Sequence, residues 1–407
     1  MCKTGRNRFF TVAEDLSAVK KRRTMKLLRK LLIAVLIGAV LAGCAASPQT
    51  NETGTESTPV LSDCPLKHCS DHTGIFLMIS IDEFNKLGFQ YGDSVDLSFS
   101  NGYALSSIPY YTGYYGKPYE TLLVAYPSAD YIKVSINYGA DFFTEASLSE
   151  DDTCTITLHE PAAYHLIQEA NAIHYEDDRS LFASDEVFAN FRSVCAGTIR
   201  DHWLYRSASP CDNRRGRAAV ADRLAEEAGI RYIIDLSDTE ERIQQHITAE
   251  DFNSPYFLQL YKDGRVLPLN MSMRFTDEVY RQKINEVVTA MAENEGPYLL
   301  HCVEGKDRTG FLSALLEALC GADYAEIEAD YMKTYDNYYG INQNDTPEQY
   351  QTIREQYLNI ILEEIVSDDS VDVTEADLAS YAYDYLVNIG IREDVIRKLQ
   401  ANLQNGS

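Results

Sequence analysis

A cysteine and an arginine separated by five residues stand where such a pair can act on phosphorus. Cys302 and Arg308 belong to His301-Cys302-Val303-Glu304-Gly305-Lys306-Asp307-Arg308-Thr309-Gly310, which follows the apolar run Tyr298-Leu299-Leu300 and precedes the apolar stretch Phe311–Cys320. Strand, tight turn and helix in that order make an anion cradle. The amides of residues 303–308 curl around one point, and the helix N-terminus adds its positive end. Gly305 lets the turn adopt a conformation that a side chain would forbid. Arg308 can fork two N–H bonds onto phosphate oxygens. Lys306 adds a second cation, which would suit a substrate with more than one phosphate. In so positive a setting a cysteine ionises more readily, and a thiolate beside a bound phosphoryl group is a nucleophile aimed at phosphorus.

The ten residues HCVEGKDRTG resemble the signature loop of the cysteine-based protein tyrosine phosphatases, H-C-x5-R-[ST]. Gly305-Lys-Asp-Arg-Thr-Gly310 resembles in particular the bacterial tyrosine phosphatase family that includes secreted phosphatases of pathogens. The similarity extends to Asn190-Phe191-Arg192, to Leu204-Tyr205-Arg206-Ser207-Ala208-Ser209-Pro210 and to Ile234-Asp235-Leu236, and covers about residues 185–360.

The resemblance implies that Cys302 is the nucleophile and forms a cysteinyl-phosphate. It implies that Arg308 and the amides of Val303, Glu304, Gly305 and Lys306 hold the phosphoryl oxygens. Thr309 would hydrogen-bond the sulfur as it leaves, and His301 would orient the loop. The family's usual Trp-Pro-Asp acid loop is missing, since the single Trp is Trp203. The acid that protonates the leaving oxygen therefore stays open among three residues. Asp307 is favoured by resemblance to the Lys-Asp-Arg subgroup. Asp235 and Asp238 stand at the carboxyl end of the strand Arg231–Leu236, where strands meet ligands, or instead cap a helix at Thr239–Gln245.

Phosphatases of phosphoinositides often carry Lys at the Lys306 position. The expected substrate is thus a phosphotyrosine protein, with phosphoinositide or inositol phosphate as the alternative. A phosphate-binding module with weak activity, or a sulfur-transfer enzyme, are the readings from other classes. The loop calls for no metal and no organic cofactor. Arg206, Arg214, Arg215 and Arg217 form a basic cluster that either draws phosphate to the rim or solvates the start of a helix at Gly216–Ala228.

The elements that must position the loop read as an α/β domain over 185–407. Helix Gly216–Ala228 is stopped by Gly229, and the buried-type strand Arg231–Leu236 follows. Helix Thr276–Asn294, capped by Thr276, shows one apolar face and ends at Gly296-Pro297 before the strand at Tyr298. After about residue 322 the chain is helical, acidic and rich in tyrosine, of which the chain holds 28.

Residues 63–160 read as a smaller β-barrel-like domain, with strands at 94–99, 121–125, 131–136 and 153–158 and a tight turn at Asn101-Gly102. The segment NGYALSSIPYYTGYY with its flanking strands resembles the β-barrel domain of S-adenosylmethionine hydroxide adenosyltransferases, from which no catalytic residue carries across. Its aromatics read as barrel packing, with a carbohydrate or ligand platform as the alternative. A helical connector, 161–184, joins the two parts. Cys64, His68, Cys69 and His72 read as free thiols and unliganded histidines, with a Cys64–Cys69 disulfide or, at a spacing unlike familiar zinc patterns, a metal site as the alternatives.

Residues 1–43 carry ten basic residues, then the apolar run Leu31–Leu41 and Ala42-Gly43 before Cys44. This is the layout of a secretory signal, with Met25 a plausible true start. The ending resembles a bacterial lipobox, which implies lipidation at Cys44 and a polar tether over 44–62. Export with a lipid anchor on the outer face of a bacterial cell membrane is the expected location. The net charge of −26 becomes −34 without residues 1–43. Such a balance excludes a nucleic-acid partner, which needs a basic face.

Overall fold

The computed structural model describes residues 58–404 apart from residues 71, 72, 174, 275 and 276. The signal segment, Cys44, the tether up to residue 57, His72 and the Thr276 cap lie outside the described residues. From Thr58 onward the chain forms one compact unit.

Seven strands make the first part: β1 (Val60–His68), β2 (Ile75–Ser80), β3 (Ser94–Phe99), β4 (Ala104–Tyr111), β5 (Thr121–Val124), β6 (Tyr131–Ile136) and β7 (Thr153–Glu160). They close into a barrel in the order β1-β2-β6-β5-β4-β3-β7. Only β4 and β5 pair parallel. Alternation decides the inside: Val95, Leu97 and Phe99 of β3 meet Ile75, Leu77, Ile132, Val134 and Ile156 in a filled core. Gly102, at φ +89°, makes the β3–β4 turn.

Strand β1 begins at Val60, three residues inside the stretch expected to be a tether. Val60 pairs with Thr157 and Leu61 with Ile156, partners too distant in sequence to be seen locally. Of the three readings for these cysteines, free thiols are the one the structure bears out. Cys64 lies opposite Cys154 of β7 rather than joined to Cys69, and the described cysteines are all free thiols. His68 is engaged by Asp141, 3.1 Å away, and stacks on Phe143. Among the described residues no group of His, Cys, Asp and Glu is placed to hold a metal.

The connector is helical only at His165–Asn171, with a 3₁₀ turn at Arg179–Leu181. Its Gln168 side chain accepts from the Thr112 amide and donates to the Thr112 hydroxyl. Tyr164 and Ile167 cover Tyr111, Leu122 and Val124 of the barrel. The same helix packs against Pro347–Ile353 of the second part.

That second part is built on β8 (Arg192–Ser193), β9 (Leu204–Ser207), β10 (Tyr232–Asp235), β11 (Val266–Pro268) and β12 (Tyr298–His301), in the order β11-β10-β12-β9-β8. All neighbours run parallel except the edge strand β8. Both faces are covered, as a parallel sheet requires. Ile233 and Leu299 pack on helices Ala218–Glu227, Glu240–Thr248 and Pro255–Lys262. Ile234 and Leu300 pack on Glu278–Glu293 and Asp307–Leu319. The last of these is buried on every side from Thr309 to Leu319, wrapped by helices Tyr324–Tyr339, Asn359–Val366 and Leu378–Asn388. The fold is therefore α/β with a smaller barrel. Register puts Ser207, Asp235 and His301 in one row at the carboxyl ends of β9, β10 and β12.

Candidate active site

Cys302 is the first residue beyond the central strand β12 and is 3% exposed. The helix after it starts at Asp307, earlier than the apolar pattern at Phe311 suggested, so Asp307 and Arg308 stand in its first turn. The polar loop residues hid that turn from a hydrophobic reading.

The carbonyls of the loop are held from outside. Ser209 donates its amide to the Val303 carbonyl at 3.1 Å. The Tyr338 hydroxyl donates to the Glu304 carbonyl at 2.8 Å, and Arg206 donates to the Gly305 carbonyl at 2.8 Å. The Gly310 amide takes the Lys306 carbonyl at 2.8 Å. With the carbonyls engaged, the amides of residues 303–308 are the loop's backbone groups left for an anion. Gly305 has φ +69°, and a Cβ there would fall 2.2 Å from the Ser207 carbonyl oxygen. No side chain fits that position.

Arg206 is not at the rim. It is 1% exposed, lies behind the loop, and pairs with Asp330 at 2.5 Å. Arg192 takes the other oxygen of Asp330 at 2.7 Å. Burial opposes the Asp330 charge, yet the two guanidinium groups hold its carboxyl well below the usual carboxylate range. Asn190, fully buried, donates to Thr334 at 3.2 Å and reaches the Glu304 and Gly305 carbonyls at 3.4 Å. The other arginines of the supposed cluster are separately engaged. Arg214 pairs with Asp212, and Arg215 and Arg217 pair with Asp177. Each thus has a carboxylate partner, Arg214 stays largely exposed ahead of helix Ala218–Glu227, and Arg215 also comes within 3.7 Å of Glu304.

Asn190 and Asp330 were not singled out from sequence as site residues. Asn190 lay inside the Asn-Phe-Arg resemblance, whereas Asp330 looked like one acid among many on a helix. That helix is set by an Asp323–Glu326 capping box and ended by Gly340 at φ +65°.

Arg308 is held loosely, donating at 3.4 Å to the carbonyls of Leu236 and Met271, and no salt bridge to it occurs among the described residues. The Thr309 hydroxyl is buried without a hydrogen bond to any described residue, the Cys302 sulfur included. His301 is fully buried, with Nδ1 3.3 Å from the Cys302 carbonyl oxygen and 3.9 Å from Asp235.

The three candidate acids sit differently. Asp235 is fully buried and accepts from the Ser237 amide and hydroxyl and from the Asp238 amide, so it folds the turn after β10. Asp238 is 1% exposed, and burial, then the nearby Asp235, push its carboxyl up. Neither caps the following helix, because Thr239 does. Asp307 is open to solvent on one side, 41% exposed, and bonds Lys306 at 2.6 Å.

Lys306 lies over the Tyr335 ring at 5.5 Å. Burial works against its charge, but Asp307, with tyrosines and Glu304 around it, holds the ammonium pKa well above its ordinary value. Burial raises the Glu304 carboxyl, which faces Arg215 at 3.7 Å. Tyr138, Tyr175, Tyr331, Tyr335, Tyr339 and Tyr357 all feel the Lys306–Asp307 pair. The large tyrosine count was visible in sequence. That these rings converge from barrel, connector and C-terminal helices was not.

The model of the tyrosine phosphatase family matches residues 187–405. A triple specificity protein phosphatase, PtpB, from Mycobacterium tuberculosis is 38% identical over 73 residues, 16% of this chain and 26% of that protein. A tyrosine-protein phosphatase from Nostoc commune is 33% identical over 130 residues, 28% of this chain and 44% of that protein. The chain thus spans less than half the length of these curated relatives. The core catalytic domain of the PP-IP phosphatase SIW14 from S. cerevisiae, solved with citrate, aligns with 44% of this chain and 93% of its own, at 21% identity and TM-score 0.25. With the family match covering more than half of the chain and enclosing the Cys302 loop and the residues that brace it, the chain belongs to the tyrosine phosphatase family.

Proposed function

We propose that the chain is a phosphomonoester hydrolase that works through Cys302 and a cysteinyl-phosphate, with phosphotyrosine proteins as substrate. One observation carries this reading. The carbonyls of residues 303–306 are all engaged from outside, so amides and Arg308 surround the space next to a buried cysteine. That space stabilises oxygens that gain charge as phosphorus is attacked. The Cys302 sulfur bonds to phosphorus as the ester P–O bond breaks, and Asp307 gives its proton to the leaving oxygen. Water then attacks phosphorus, its proton returns to Asp307, and the sulfur leaves toward the Thr309 hydroxyl.

Phosphoinositides and inositol phosphates remain the second substrate class. Lys306 favours them, and its tie to Asp307 at 2.6 Å weakens that argument. Export and a lipid on Cys44 are likewise proposed. Incorporation of labelled palmitate in cells, lost in Cys44→Ala, is the expected result, and incorporation unchanged by that substitution overturns it.

The mechanism is tested with purified protein on phosphotyrosine and phosphoserine peptides, phosphoinositides and inositol hexakisphosphate. Arg308→Ala is expected to lower kcat by about 10²–10³, the loss typical of one transition-state donor, and Cys302→Ser by more. Vanadate should inhibit. Full activity in Cys302→Ser sinks the proposal.

A further inference from the structure

Between the barrel and the Cys302 loop lies a cavity of about 440 Å³, within the usual range of about 300–1,000 Å³ for ligand pockets. The barrel contributes Tyr114 and Tyr138, the C-terminal helices contribute Tyr331 and Tyr357, and the catalytic loop contributes Lys306 and Asp307. Among the described residues those last two are the only charged groups along its walls, and they are bonded to each other at 2.6 Å. Its described walls therefore present aromatic faces and amides, and their lysine is tied to Asp307. A ring bearing several phosphates would meet Asp307 and neutral phenols, whereas an uncharged aromatic ring would find faces to pack on.

The barrel wall is held in place. Asn137, 3% exposed, donates to the carbonyls of Gly116 and Lys117, which pins the β4–β5 loop beside Tyr138. Lys133 donates to the Tyr114 hydroxyl at 3.1 Å. Tyr138 has φ +52°, a conformation that bulky residues rarely keep without a reason. Burial, then the carboxylate of Asp307, push the Tyr138 phenol up, so it stays neutral. Both barrel rings are nevertheless 43% exposed and thus open to an incoming group.

We propose that this cavity is the leaving-group subsite, that Tyr138 and Tyr114 of the barrel determine its specificity, and that it takes one uncharged aromatic ring bearing a single phosphate. The inference rests on the reading of the Cys302 loop as the phosphate site.

The experiment compares the full chain with Tyr138→Ala, Tyr138→Phe and the double variant Tyr114→Ala/Tyr138→Ala. Substrates are a phosphotyrosine peptide, ringless acetyl phosphate and inositol hexakisphosphate, and vanadate inhibition reports on the loop alone. The expected result is that each Ala variant loses about five- to tenfold in kcat/KM on the peptide, mainly through KM, as one aromatic contact would give. Acetyl phosphate turnover and vanadate inhibition should stay within about twofold, Tyr138→Phe should behave as the parent, and the parent should prefer the peptide over inositol hexakisphosphate. Unchanged peptide turnover, an equal fall on acetyl phosphate, or a parent that prefers inositol hexakisphosphate overturns the subsite while leaving the phosphatase reading intact. A parent inert on all three substrates and blind to vanadate overturns both.

Discussion

Two carboxylates near the loop carry opposite consequences. Asp307 is the candidate acid with one side open to solvent, yet it is bonded to Lys306. If it protonates the leaving oxygen, Asp307→Asn slows esters with poor leaving groups by about 10²–10⁴, the usual worth of a general acid, and good ones far less. A series of substituted phenyl phosphates checks this. Equal slowing across the series would leave Asp307 only the task of holding Lys306 and pass the acid role to Asp238. Glu317 lies on helix Asp307–Leu319, fully buried and beside Asp330. Burial first, then Asp330, hold its pKa well above the usual value, so the native state keeps a proton that the unfolded chain releases above about pH 4.3. Stability attached to this group is therefore present below that pH and is lost as pH rises through the folded-state value. Glu317→Gln should be more stable than the parent by a margin that grows from pH 5 to pH 8, by up to about 1.4 kcal/mol per pH unit. Melting temperatures at the two pH values check it, and a constant margin counts against it.

The barrel strands carry their own test. Cys64 on β1 and Cys154 on β7 face each other across an antiparallel pair, where opposite Cα atoms sit about 4.5–5.5 Å apart, within disulfide reach. Burial raises the Cys64 thiol and pushes Cys154 up to about 12, so the folded protein resists oxidation at both. Folding under oxidising conditions should join Cys64 to Cys154 and add about 2–4 kcal/mol. Peptide mapping without reduction decides it, and a Cys64–Cys69 link would refute it. Strand β3, by contrast, needed no tertiary information. Its alternation and the Asn101-Gly102 turn mark its bounds, and the structure has it at Ser94–Phe99. Strand β1 was lost in a segment read as tether and cysteine cluster, because its apolar residues are spaced around Asp63 and Pro65 and its partner β7 is far along the chain.

At the scale of the whole molecule, charge opposes the substrate. The chain carries −26, and the arginines that might have drawn anions to the mouth are paired with Asp177, Asp212 and Asp330. Long-range repulsion thus acts on any dianion, while the loop's grip acts at contact. Salt screens the first beyond about 10 Å at 0.1 M and the second much less. Raising salt moderately should increase kcat/KM by about twofold for a phosphopeptide and by more for inositol hexakisphosphate. Stopped-flow or steady-state rates across a salt series check this, and a steep fall would mean that attraction dominates at the mouth.

The sequence by itself pointed to the chemistry proposed for the loop, because a phosphate cradle is built from contiguous backbone. Spacing alone brings Cys302, Gly305 and Arg308 to one point once a strand precedes them and a helix follows. It also determined the two-part architecture, since alternation and helical periodicity are local. Only the tertiary structure decided what lies around that loop. Arg206 looked like a rim cation and proved to be a buried brace, because its neighbours come from Asp330 and Gly305 rather than from its own segment. The barrel tyrosines read as packing, and four of them, Tyr114, Tyr115, Tyr126 and Tyr138, stand at the cavity beside Lys306. Side chains that meet across more than a hundred residues leave no periodic trace in a single sequence. Their meeting follows from how strands pair and helices pack, and those are properties of the folded chain.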